Sequence, residues 1–81
     1  MKLDDLITLA NLLSKHRELS LSTISVYAAN DGKFFNRLQE GGSCTFRTAA
    51  RLMNWFSENW PSDLDWPEGI ERPSAAKRAA A

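Results

Sequence analysis

Leu3, Leu6, Ile7, Ala10 and Leu13 recur at three- and four-residue steps, and Leu9 and Leu12 widen the stripe they form. Such steps put side chains on one side of a helix, so residues 3–17 are predicted as an amphipathic first helix. Asp4-Asp5 at its start and Lys15-His16-Arg17 at its end both complement the helix dipole. A second apolar set, Leu21, Ile24, Tyr27 and Ala28, predicts the buried side of a helix over about 20–29, capped by Ser20 or Ser22. Asn30-Asp31-Gly32 interrupts the pattern with residues that accept turn geometry. The next helix, over about 32–40, turns Phe35 and Leu38 inward, which leaves Lys33, Asn36, Arg37 and Glu40 on the other side. Gly41-Gly42 ends it, since glycine tolerates the left-handed backbone that often follows a helix. Thr45 is a credible cap for a fourth helix over about 45–60, with Phe46, Ala49, Ala50, Met53, Phe56 and Trp60 as its core stripe.

Pro61 stops that helix, because the residue before a proline is steered out of helical geometry. Trp60-Pro61 and Trp66-Pro67 then bracket a stretch without helical periodicity. Residues 61–72 are therefore expected to be extended, packing on the core or on a partner. Trp60, Leu64 and Trp66 are the possible dimer or partner contacts, because tryptophan brings large apolar area to interfaces. Residues 73–81 are expected to be a flexible basic tail.

The two short helices are joined tightly enough for a helix-turn-helix, whose second helix can enter the DNA major groove. The register of Ile24-Ser25, Ala29, Phe35 with Leu38, and Gly41 holds without a gap from Leu19 to Phe56, followed by a polar loop and the helix from Thr45 to Trp60. In this it resembles DNA-binding domains of the lambda-repressor and Cro type. The resemblance implies a compact, all-α, four-helix lambda-repressor-like domain over residues 1–60 with an irregular C-terminal tail, and double-stranded operator DNA as partner. Leu21 stands where that family often has a phosphate-holding Gln, Ala29 where it often has Gly, and Gln39 where it usually has Glu. A fifth helix, common in the family, has no counterpart after Pro61.

On this reading Arg37 is the leading candidate for base contact, because its planar fork fits guanine O6 and N7 together, with Lys33 and Asn36 beside it. Ser20 and Ser22 are phosphate-contact candidates, although capping explains them equally well. The resemblance adds Ser43, Thr45 and Arg47 as phosphate contacts at the start of the last helix. Arg51 lies a turn farther along, and Phe34 fits a thymine methyl, the core or a subunit contact.

At 81 residues the chain is one domain, of a size where a second subunit often helps stability, and 43% apolar residues suffice for a folded core. Formal net charge is zero, which argues against a generic nucleic-acid coat. The charges are nonetheless uneven. Lys33, Arg37, Arg47 and Arg51 against Glu40 make residues 33–53 basic, whereas Glu58, Asp63, Asp65, Glu68 and Glu71 make residues 54–71 acidic. One Cys and one His supply neither a disulfide nor a zinc set, so no metal or cofactor is expected. No acid pair, nucleophile with base or phosphate loop appears, which argues against an enzyme. The acidic start and the lack of a long apolar run predict a cytoplasmic protein with no membrane partner. The leading expectation is a small transcriptional regulator, a repressor acting as a homodimer, of the kind found in phages and mobile elements. The alternative is an antiactivator that keeps the fold, does not bind DNA, and holds a protein partner through residues 54–71.

Overall fold

A computed structural model of the chain describes residues 3–73; the basic segment from 74 onward, expected as a flexible tail, lies outside them. The described chain is all-helical: α1 (Leu3–Arg17), α2 (Leu21–Ala29), α3 (Phe34–Gln39) and α4 (Phe46–Asn59), followed by an irregular strap to Pro73. α1 packs against each of the other three helices, and α2 touches both α3 and α4.

Each joint between helices has a local cause. α1 ends with the Leu19 N–H donating to the Ser14 carbonyl at 3.0 Å and the Glu18 N–H to the Lys15 carbonyl at 3.3 Å, the paired bonds of a Schellman motif. The left-handed residue in that motif is Glu18, at φ 55°, where glycine is usual. Ser20 caps α2 by accepting the Thr23 N–H at 3.1 Å. Asn30, left-handed at φ 56°, closes α2, its N–H donating to the Val26 carbonyl at 2.9 Å. Thr45 caps α4 by accepting the Thr48 N–H at 3.1 Å. As Pro61 requires, α4 runs no further than Asn59.

α3 is shorter than the sequence pattern predicts, starting at Phe34 rather than near residue 32. Residues 31–33 are spent on a turn: the Asp31 carboxylate accepts the Lys33 N–H at 3.0 Å, and its carbonyl accepts the Phe34 N–H at 3.1 Å. Six residues cannot hold a helix alone in water. Burial of Phe35 and Leu38, each contributing about 1.5–3 kcal/mol, fixes α3 to the core. The buried Ser25 hydroxyl adds the specific joint. It donates to the Leu21 carbonyl at 2.9 Å and accepts the Phe35 N–H at 3.2 Å. Lys33 offers no side-chain cap, so a serine on α2 satisfies an otherwise orphan donor in the first turn of α3.

At the far end of α3, Gly41 is left-handed at φ 101°, and the Gly42 N–H donates to the Arg37 carbonyl at 2.9 Å. A Cβ on Gly42 would lie 2.7 Å from that carbonyl oxygen, so the loop into α4 passes where only glycine fits.

The core comprises Leu6, Leu9, Ala10 and Leu13 of α1, Ile24 of α2, Phe35 and Leu38 of α3, and Ala49, Leu52, Met53, Phe56 and Trp60 of α4 and its cap. Leu3, Ile7, Leu12, Leu21 and Ala28 are partly buried against it, and two expected core residues are exposed. Tyr27 is 60% exposed, because α2 buries Ile24 and Ser25 and turns position 27 outward. Phe46 is 79% exposed, because the buried side of α4 is set by Ala49, Leu52, Met53, Phe56 and Ser57, and its first residue falls off that side. Ala50 is half-buried.

The strap folds back over α4. Rings from Phe35 to Phe56 (5.9 Å between centroids), Phe56 to Trp60 (6.4 Å) and Trp60 to Trp66 (5.0 Å) form a continuous aromatic line from α3 to the strap. The Trp66 indole donates to the Ile70 carbonyl at 2.7 Å, and the Arg72 guanidinium lies 5.1 Å from the Trp66 ring centre. Arg72 also donates to the Ser57 carbonyl at 2.9 Å, while the buried Ser57 hydroxyl donates to the Pro73 carbonyl at 2.8 Å. The anchored chain thus reaches one residue into the segment expected as a tail. At the opposite corner His16 Nε2 and Asp63 Oδ1 are 3.1 Å apart, tying the strap to the end of α1.

Candidate nucleic-acid interface

Phe35 and Leu38 fix the rotation of α3, and that rotation decides what faces out. Lys33, Asn36 and Arg37 are all exposed. They are brought together by one short helix, its opposite side sealed, and by the turn that carries Lys33 into it, so the residues expected at bases share a single surface.

Two flanking segments border it. Asn36 Nδ2 donates to Ser22 Oγ at 3.3 Å, which brings the start of α2 against α3. On the other flank the Gly42 contact with the Arg37 carbonyl brings in the loop that carries Ser43 and leads to Thr45 and Arg47. Ser43, Arg47 and Arg51 are exposed.

The hydroxyls differ in what they have left to give. Thr45 Oγ1 accepts the Thr48 N–H and donates to Thr48 Oγ1 at 2.9 Å, so its one proton is engaged. Ser20 likewise caps α2 and shares a 2.9 Å hydrogen bond with Thr23 Oγ1. Ser22 accepts from Asn36, which leaves its own proton to donate. Ser22, Ser43 and Arg47 are therefore the donors best placed for an anion in this arrangement, whereas Ser20 and Thr45 are occupied as caps.

Arg37 is also engaged. Its Nη2 forms an ion pair with Asp31 Oδ2, while the side chain remains 57% exposed. The Asp31 carboxyl is held below its ordinary value, first by the Lys33 backbone N–H and then by the Arg37 guanidinium. By its place in Asn30-Asp31-Gly32, Asp31 is expected only as a turn residue. The signal for more was an acid placed two residues before a lysine and six before the arginine of the exposed side.

Neither a family model nor a curated protein nor a solved structure matches the chain.

The remaining candidates lie elsewhere. Trp60 is buried, and Leu64 and Trp66 are half-buried against the core of their own chain. Phe34 is half-buried, edge-on to Phe35 at 5.2 Å. Cys44 is half-buried, and loss of solvent pushes its thiol pKa up. Among the described residues no three His, Cys, Asp or Glu side chains gather as a metal site, and no helix is long and apolar enough to cross a membrane.

Proposed function

We propose that the protein is a small sequence-specific DNA-binding regulator of the lambda-repressor-like helix-turn-helix type, a repressor that binds a two-fold-related operator as a dimer. The observation that carries this reading is the shared exposure of Asn36 and Arg37 on α3 and of Lys33 at the turn into it, opposite buried Phe35 and Leu38. In the proposed complex α3 lies in the major groove, Arg37 meets a guanine, and Ser22, Ser43 and Arg47 take the flanking phosphates. Two half-sites supply the affinity that one small domain lacks.

The test is fluorescence titration of a labelled duplex from the promoter of the protein's own gene at several salt concentrations. Affinity should fall with salt, with a log–log slope of about −0.9 per phosphate contact. Arg47→Ala should weaken all duplexes alike and flatten that slope by about one unit, whereas Arg37→Ala should relax discrimination at one position.

A second reading, a protein-binding antiactivator, is favoured by a different observation. Val26, Tyr27 and Phe46 are large apolar side chains left exposed at 48%, 60% and 79%. Its acidic strap gives it less support, because Trp60 and Trp66 already spend their ring faces inside the fold. Salt-insensitive or absent DNA binding, together with co-purification of another regulator, selects this second reading.

A further inference from the structure

A carboxylate beside the side chain expected to read bases repels DNA phosphates, and Asp31 occupies that place. Its two oxygens are divided between two tasks. Oδ1 accepts the Lys33 N–H at 3.0 Å and shapes the turn into α3, while Oδ2 pairs with Arg37 Nη2. The first task needs only an acceptor; the second needs the charge. Among the described residues no other group takes a hydrogen bond from the Arg37 guanidinium, so its remaining donors stay open to solvent.

We propose that Asp31 is a positioning residue that presets Arg37 for a guanine, an inference that rests on the reading of α3 as the DNA-facing helix. An unheld arginine must order its long side chain when it binds, whereas one clamped at a single nitrogen has done so in advance. The open donors then suit a partner with two adjacent acceptors. Guanine offers O6 and N7 side by side in the major groove, while adenine puts a donor where O6 would be. The carboxylate also cancels the arginine's charge towards the phosphate backbone, so Arg37 adds to base discrimination more than to general grip. Asp31 acts through Arg37 and touches no base itself.

The test uses the full chain and a duplex selected from a randomised pool by the wild-type protein, with each G·C pair replaced in turn by A·T. For wild type, one replacement should cost about 5- to 150-fold in affinity, the range of one bidentate contact, and for Arg37→Ala the same replacement should cost nothing. Asp31→Asn keeps an oxygen for the Lys33 N–H and removes the charge. If the carboxylate positions Arg37, this variant stays helical by circular dichroism and binds random duplex severalfold more tightly. Its penalty at that guanine drops to within about threefold of none, and adding Arg37→Ala lowers it no further. Asp31→Ser, with a hydroxyl acceptor, gives the same comparison should Asp31→Asn fail to fold. Full discrimination at that guanine by either folded variant overturns the positioning role while leaving DNA binding intact. Wild-type protein that shows no salt-sensitive duplex binding overturns the parent reading, and this inference with it.

Discussion

Replacing Ser25 with Ala removes one oxygen from the centre of the fold and should cost far more than its size implies. Ser25 and Phe35 are both fully buried, and the serine hydroxyl is the acceptor for the Phe35 N–H. Without it, that amide sits in the first turn of a helix whose cap residue supplies no side-chain bond. An orphaned buried donor costs about 1–3 kcal/mol. The Leu21 carbonyl, which also accepts from Ser25 Oγ, keeps its ordinary helical partner, so the amide dominates the loss. With a urea m-value of about 1 kcal/mol/M for so small a domain, the midpoint should fall by roughly 1–3 M at unchanged m. The matching fall in Tm is about 4–8 °C per kcal/mol. Urea unfolding followed by circular dichroism measures the loss, and hydrogen exchange at the Phe35 amide localises it. Ser22→Ala, which removes an exposed hydroxyl of the same helix, serves as the control and should stay within about 0.5 kcal/mol of wild type. A Ser25→Ala protein within that same margin, with Phe35 still protected, would refute the claim that this hydroxyl joins α2 to α3.

Three further outcomes follow from named contacts. Glu18→Gly should raise stability by about 0.5–1 kcal/mol in thermal or urea unfolding, since glycine relieves a left-handed backbone at φ 55° and gives back part of the gain through its freer unfolded chain. Among the described residues the Trp60 indole N–H is buried without a hydrogen-bond partner, so Trp60→Phe, which deletes that donor and keeps a ring, should cost less than about 1.5 kcal/mol, against about 3–5 for Trp60→Ala. The Asp31 carboxyl is lowered on folding, so its contribution should be complete above the ordinary value of 3.8 and fade as pH falls below it through the native pKa. Wild type and Asp31→Asn, compared by urea unfolding, should therefore differ at neutral pH and converge in acid.

The chain discloses its helices more readily than the direction each one faces. Ser20, Thr45, Pro61 and the Gly41-Gly42 pair mark boundaries through local backbone chemistry, and the structure puts caps and ends where they point. Rotation about the helix axis is a different problem, because it depends on neighbours distant in sequence. Ser25 and Ser57 occupy core spacing, four residues after Leu21 and Met53, yet reading by hydrophobicity passes over both. They belong inside because partners wait there: the Phe35 amide for Ser25, the Pro73 carbonyl and Arg72 for Ser57. Tyr27 and Phe46 depart the other way: each fits an apolar helical spacing, yet α2 and α4 turn it outward. Leu52, fully buried, falls outside the stripe that starts at Phe46. The exposure of Lys33, Asn36 and Arg37 follows from the inward direction of Phe35 and Leu38 alone. The link from Asp31 to Arg37 does not, because it spans the turn and exists only once α3 has formed.

The claim that α3 reads DNA is tested most directly by mapping backbone amide shifts while a selected duplex is titrated into labelled protein. Shifts should gather on residues 33–37, Ser22 and 43–47, and should weaken as salt rises. Shifts confined to the strap from Pro61 to Pro73 and to α1, or none at all at low salt, would contradict it.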